Sequence, residues 1–208
     1  MPVNLERLLT SLSDRQGAVS ARPRLNVGSG GDRRPGYVNL DLVPVPGVDV
    51  VANLAGAPLP FPDETFGLVL CRDVLEHVDV VSALREVHRV TAPGGLVVVS
   101  AVHFTSRNLF VDPTHVRGYS VRTLEFFVGD GAGETPAWLR HYYFDFSFSA
   151  IDYAAIQFNT TLGHGRLFLW DRLVEPAVNA RRWAQDLYEM TFLSRLFPAA
   201  NVVAVLRR

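Results

Sequence analysis

Leu25-Asn26-Val27-Gly28-Ser29-Gly30-Gly31 is the stretch that decides the fold. An apolar, strand-like run enters a turn rich in glycine, where missing side chains let a ligand lie against backbone N–H groups. Alone, such a turn serves nucleotide enzymes of many sorts as well as plain loops. Asp41 sharpens the reading. It ends the next apolar run, thirteen residues after Gly28, where a carboxylate can accept both ribose hydroxyl hydrogens of an adenosine. A nicotinamide dehydrogenase would carry glycine at position 33 and an acidic residue about 20 positions onward. Position 33 is Arg33, so the dinucleotide pattern fits less well.

Outward from this turn, apolar runs alternate with helical or loop segments, the pattern of a parallel sheet covered on both faces. The runs are Leu25–Val27, Tyr37–Leu42, Val48–Ala52, Phe66–Cys71 and Gly95–Val102. Asp79–Thr91 places Val80, Leu84, Val87 and Val90 on one face and reads as a crossover helix stopped by Pro93-Gly94-Gly95. Further strands are expected at His141–Phe148, Tyr153–Phe158 and Val202–Leu206, with a helical stretch over Leu173–Leu196. The 208 residues read as one domain. Within it, residues 1–22 form an N-terminal helical flank with its amphipathic part over Val3–Leu12, 104–140 an acceptor-side loop and helix, and 161–199 a helical insertion before the last strand.

Composition narrows the function classes. Net charge is −1, and arginines alternate with acids along the chain, which argues against nucleic acid as the substrate. All twenty basic residues are arginine, as in proteins of GC-rich, for example actinobacterial, genomes. The lone Cys71 allows neither an internal disulfide nor a cysteine zinc cluster and fits a reducing cytoplasm. No window approaches the roughly 20 apolar residues of a membrane span. Glu6, Arg7, Asp14 and Arg15 interrupt the only stretch that could act as a secretory signal. A homodimer is left open.

Four ordered segments resemble class I S-adenosylmethionine-dependent methyltransferases of the broad "type 11" kind. They are Leu25 to Gly30 with Pro35 to Asp41, Leu59 to Val69, Asp73 to Val78, and Arg85 to Val90 followed by Pro93-Gly94-Gly95. The resemblance implies an α/β, Rossmann-like fold, a mostly parallel seven-stranded sheet in the order 3-2-1-4-5-7-6 with helices on both faces. It also implies S-adenosyl-L-methionine as cofactor. Gly28, Ser29 and Gly30 would lie under its methionine part, Asp41 would hold the ribose, Asn53 and Leu54 would edge the adenine, and Cys71 and Arg72 would meet the amino acid end. Gly67 stands where the family usually has Asp, which removes one customary carboxylate.

The acceptor chemistry is expected beyond the fourth and fifth strands. A methyl carbon on a sulfonium is already activated, so the protein must align an acceptor and, for a hydroxyl, remove its proton. His103 directly follows the fifth run. Asp112-Pro113-Thr114-His115-Val116-Arg117-Gly118-Tyr119 follows in a loop. It resembles a motif in a subset of these enzymes encoded in carbohydrate and cell-envelope pathways, those that methylate mannosides for methylmannose polysaccharides among them. His115 is the candidate base, with Asp112 accepting its other ring hydrogen, and His103 is the alternative. Arg117 and Tyr119 are candidate substrate contacts. As an alternative to the base reading, Asp112 and His115 are candidate ligands for a divalent metal such as Mg2+ that would bind sugar hydroxyls.

The expected function is therefore methyl transfer to a hydroxyl of a small molecule, a sugar or oligosaccharide first. A phenol, lipid head group or other natural product is the alternative acceptor. A non-catalytic cofactor-binding protein and a nicotinamide oxidoreductase are the competing classes.

Overall fold

The computed structural model describes residues 3–13, 21–56, 58–129, 142–143, 145–158, 161–162, 165–166 and 170–208. Strands β1 (Arg24–Val27), β2 (Val38–Asp41), β3 (Val50–Val51), β4 (Phe66–Arg72), β5 (Thr91–Val102), β6 (Ala150–Gln157) and β7 (Asn201–Arg207) form one sheet in the order β3-β2-β1-β4-β5-β7-β6. The first five are mutually parallel, and β7 runs antiparallel to both its neighbours. This is the order and mixture that the resemblance implies. Because the carboxyl ends of β1, β2, β4 and β5 lie along one edge, the connections leaving them meet there.

Alternation along the central strands sorts side chains between two faces. Val69, Cys71, Val97, Val99 and Ala101 pack toward helix α2 (Val80–Val90) through its Ala83, Leu84 and Val87. Leu68, Leu70, Leu96 and Val98 face helix α1 (Leu5–Ser13), whose Leu5 and Leu9 bury against them. Each such leucine contributes about 2 kcal/mol of hydrophobic free energy. Asp79 caps α2 by accepting from the Ser82 N–H at 2.9 Å, which fixes where the crossover begins.

Several expectations shift. The connections 28–37 and 42–49 carry no helix; Pro35, Pro44 and Pro46 and the shortness of both spans prevent one. β5 starts at Thr91, so Pro93 and Gly94 lie inside the strand and the helix ends at Val90. The helical stretch expected over Leu173–Leu196 is broken into Glu175–Val178, α3 (Arg182–Met190) and Leu193–Leu196, after a π-type turn at Trp170–Val174. Asn179 causes one break: its side chain accepts from the Ile156 N–H at 2.8 Å and donates to the Ile156 carbonyl at 2.7 Å. It thereby covers the open edge of β6.

No strand forms over the described part of His141–Phe148, where Tyr142–Tyr143 make a helical turn and Phe148 only bridges Val128. His141 and Phe144 lie outside the described residues, as do Trp138, His164, all of 130–140 and most of 159–169. Among the described residues, no helix is long and apolar enough to cross a membrane.

Candidate active site

The glycine turn has the backbone that its composition requires. Gly28 and Gly30 have φ of +65° and +46°, values that favour glycine. A Cβ at Gly28 would stand 2.5 Å from Val74 Cγ2, so glycine also lets β1 end beneath the turn that follows β4. Nothing lies within 4 Å of a Cβ built at Gly30, which leaves that side open to a ligand.

Asp41 lies beside it at the end of β2. Its carboxylate accepts from the Gly30 N–H at 2.7 Å and the Val43 N–H at 3.1 Å, one on each oxygen, leaving further lone pairs. Gly30, Gly31, Arg33, Asp41 and Val43 line a cavity of about 520 Å³. Ser29 is 3% exposed and its Oγ has no hydrogen-bond partner among the described residues. A polar scaffold supports the turn from below. Asn26 donates to the Asp32 carbonyl and to Asn39 Oδ1, which also accepts from the Arg34 N–H.

Asn53 is exposed, and its side chain accepts from the Ala55 N–H, while Leu54 is buried in the core. Cys71 is fully buried, and burial pushes its thiol up to about 12, so only its backbone can meet a ligand. Arg72 pairs with Asp32 at 3.1 Å and Asp73 at 3.5 Å. Arg34 joins Asp32 to Glu6 of α1, and its hydrogen bonds hold the Glu6 carboxyl below its ordinary value. This network ties α1 to the glycine turn.

A second cavity, of about 290 Å³, opens at the ends of β4, β5 and β7. Asp73, Glu76, Asn108, Asp112, His115 and Asn201 line it, with Val102 and Val111. Asp73 has φ of +51°, its N–H donates to the Ser100 carbonyl, and its carboxylate accepts from Asn201 Nδ2 at 2.6 Å. The short 3-10 turn Leu75–His77 then rotates Glu76 inward.

Glu76 is 1% exposed: Oε1 accepts from the Val102 N–H at 3.2 Å, and Oε2 has no partner among the described residues. Burial, with the like charge of Asp73 adding to it, pushes the carboxyl up to about 7. His115 lines the same cavity, and its buried Nδ1 has no hydrogen-bond partner among the described residues. Its Nε2 is 3.9 Å from Asp112 Oδ2, too far for the hydrogen bond expected to orient it. Asp112 instead accepts from the Thr114 N–H and hydroxyl, which hold its carboxyl below the usual range. The Thr114 hydroxyl also lies 2.8 Å from His77 Nδ1, and the His77 ring packs 4.6 Å from that of His115. One ligand atom from each of His77, Asp112 and His115 falls within 4.8 Å of the others.

Other expected site residues lie elsewhere. His103 is fully buried and outside the cavity lining: Nδ1 accepts from the Thr105 N–H, and Nε2 meets Glu189 Oε1 at 3.1 Å. Both ring nitrogens are occupied, and Nε2 joins the end of β5 to α3. Tyr119 is fully buried and its hydroxyl donates to the Leu75 carbonyl, so it supports the turn that carries Glu76. Arg117 is exposed at the rim of an apolar groove with Phe126 and Phe127. Sequence reasoning passed over Glu76, Asp73 and Asn201; only the quoted Leu75-Glu76-His77 run hinted at the first.

The solved structures with this architecture agree. An S-adenosylmethionine-dependent methyltransferase from Archaeoglobus fulgidus superposes with a TM-score of 0.57 at 16% identity, over 98% of this chain and 92% of that one. The fold is that of class I methyltransferases. Residues 32–99, about a third of the chain, match a family model described as a methyltransferase domain. That span holds Asp41, Asp73, Glu76 and His77 and ends before the loop of Asp112 and His115. An uncharacterised protein of Methanocaldococcus jannaschii is 35% identical over 72 residues, 30% of this chain and 32% of that protein. The chain thus matches about a third of that relative's length. The [4+2]-cyclase SpnF shares the fold with a TM-score of 0.52 at 16% identity, over 98% of this chain and 80% of that one. Fold by itself therefore does not name the reaction.

Proposed function

We propose that the protein is an S-adenosyl-L-methionine-dependent methyltransferase acting on a hydroxyl of a small molecule, a sugar or oligosaccharide of mannoside type first. One observation carries the reading: the cavity beyond the glycine turn is lined by Glu76 and His115, whose buried Oε2 and Nδ1 have no hydrogen-bond partner among the described residues. A bound hydroxyl would satisfy both. The further lining by Asp73, Asn108, Asp112 and Asn201 favours an acceptor with several hydroxyls over a phenol or an acyl chain.

The cofactor supplies an activated methyl group when bound. The open Gly30, the orphaned Ser29 Oγ and the Asp41 carboxylate fit its methionine and ribose parts. Gly28 keeps the turn close to β4, Asn53 and Leu54 would border the adenine, and Arg72 with the Cys71 backbone would meet the amino acid end. On the acceptor side, His115 Nδ1 accepts the hydroxyl proton, and Glu76 holds the acceptor by a second hydrogen bond. The Thr114 bridge between Asp112 and His77 fixes the ring packed on His115.

The cluster of His77, Asp112 and His115 supports a second reading, a divalent cation at the same mouth. Two imidazoles and one carboxylate suit Mn2+ or Zn2+ better than Mg2+, which prefers oxygen ligands. Such an ion would gather acceptor hydroxyls. A cytoplasmic setting and a homodimer complete the proposal, the latter tested by sedimentation.

The deciding experiment is a methyl-transfer assay on a panel of mannosides, phenols and lipid head groups. His115→Ala should lower turnover about 100-fold while cofactor affinity stays unchanged. Cofactor binding without turnover on any acceptor would identify a non-catalytic binder instead. Loss of activity on chelation, restored by Mn2+, would replace the free base with the metal reading.

A further inference from the structure

Helix α3 turns polar side chains inward and apolar ones outward. Gln185, Tyr188 and Glu189, at i, i+3 and i+4, share the inner face and are satisfied there. Gln185 donates to the Ala154 carbonyl at 3.0 Å, the Tyr188 hydroxyl donates to the Phe197 carbonyl at 2.7 Å, and Glu189 accepts from the Val121 N–H at 2.8 Å. The opposite face carries Trp183, Leu187 and Met190, which are 63%, 48% and 85% exposed. Their spacing of i, i+4 and i+7 forms one stripe along the helix. A surface helix normally buries such a stripe against its own core and points its polar residues at water. This one has the pattern of an element packed on both sides, and large side chains exposed together mark a contact surface.

Size and self-complementarity point to a second copy of this chain as the surface that covers the stripe. With Phe192, exposed two residues beyond Met190, it offers on the order of 500 Å² of apolar surface. A standard interface takes about 800 Å² from each partner, about 65% of it apolar in homodimers. Leu187 lies near the middle of the stripe. A two-fold axis through it, with the two helices antiparallel, therefore sets Trp183 of each copy beside Met190 of the other, a favourable contact of thioether with indole. The charges at the helix ends fit the same arrangement. Arg181 is exposed at the N-terminal cap of α3, the end that disfavours a cation, and no carboxylate among the described residues pairs with it. The helix has no acid in its first turn and no base in its last. An antiparallel copy brings each Arg181 toward the carbonyl end of the other α3, where a cation is stabilising.

We infer that two copies of the chain pair through the outer face of α3, antiparallel about a two-fold axis at Leu187, with Trp183 and Met190 packing across it. The inference rests on the homodimer proposed above and names the surface that closes it. It is independent of the methyl-transfer reading.

The test is sedimentation equilibrium of the full chain and its variants over a range of concentrations, with circular dichroism to show that each is folded. The wild type should be a dimer. Leu187→Glu and Leu187→Lys each place two like charges together at the axis and should weaken the dimer about 100-fold or more. Mixed in equal amounts, the two variants should pair again, because each Glu then meets a Lys; only a residue close to the two-fold axis behaves in this way. Trp183→Ser, which leaves the axis uncharged, should weaken the dimer about tenfold or more and decides the matter should a charged variant not fold. Phe110→Ser, an exposed aromatic on the Asn108–Val111 turn, should leave it unchanged. A dimer that survives Leu187→Glu and Trp183→Ser overturns the inference and leaves the homodimer standing on another surface. A wild type that stays monomeric overturns both.

Discussion

Replacing Glu76 with glutamine tests whether the inward carboxyl is held as the geometry describes. The side chain is 1% exposed, with one oxygen satisfied by the Val102 N–H and the other without a partner. Its carboxyl is raised from 4.5 to about 7, chiefly by burial. A raised acid holds a proton in the folded state that the unfolded chain releases. The stability tied to that proton is complete below pH 4.5 and is lost as pH rises through about 7. Over that interval the wild type should lose up to about 3 kcal/mol. Glutamine has nearly the same shape, can still accept from the Val102 N–H and does not titrate. Glu76→Gln should therefore match the wild type at pH 4.5 and exceed its stability by up to about 3 kcal/mol above pH 7. Urea unfolding with a chelator present, so that no cation competes for the site, measures this across the range. A stability difference that does not change with pH, or one that favours the wild type above pH 7, would show that Glu76 is not a buried, protonatable group.

Asp41→Ala should weaken S-adenosylhomocysteine binding by about 2 kcal/mol, roughly 30-fold, because the carboxylate proposed to accept from the ribose hydroxyls is lost; calorimetry with the fold checked by circular dichroism decides it. Gly28→Ala should destabilise the protein by about 1–3 kcal/mol from a positive φ and a Cβ 2.5 Å from Val74 Cγ2. Adding Val74→Ala should recover only the clash part of that loss in urea unfolding. His103→Ala should lower stability by about 2 kcal/mol through the lost hydrogen bonds to Glu189 and Thr105 and the cavity left in the core, yet leave cofactor affinity intact. A loss of cofactor affinity with unchanged stability would contradict the assignment of His103 to the core.

The sheet was legible because its signals are local. An apolar run entering glycines, Asp41 at the end of the next run, and the Val80-Leu84-Val87 stripe each state their role within a few residues. The order of strands followed from the resemblance that these segments carry together. The helix-free connections and the broken α3 region were less legible, since Asn179 leaves the helix for a partner on β6 that the local pattern does not name.

The division between base and core histidine shows the same limit, and also what sequence could have offered. Along β5, Val97, Val99 and Ala101 face the α2 side, so period-two alternation carries His103 to that same face, away from the mouth. Counting the strand would have removed His103 as the base. Glu76 is different, because no periodicity operates in a three-residue turn. Its burial depends on the Val102 N–H at the end of β5, twenty-six residues away, and on the Asp112–His115 loop closing over it. Residues that gain their chemistry from such distant partners become visible only when the strands are laid side by side. That is why the proposed cofactor edge of this site could be read forward from Gly28, while the proposed acceptor edge had to be read back from Glu76 and His115.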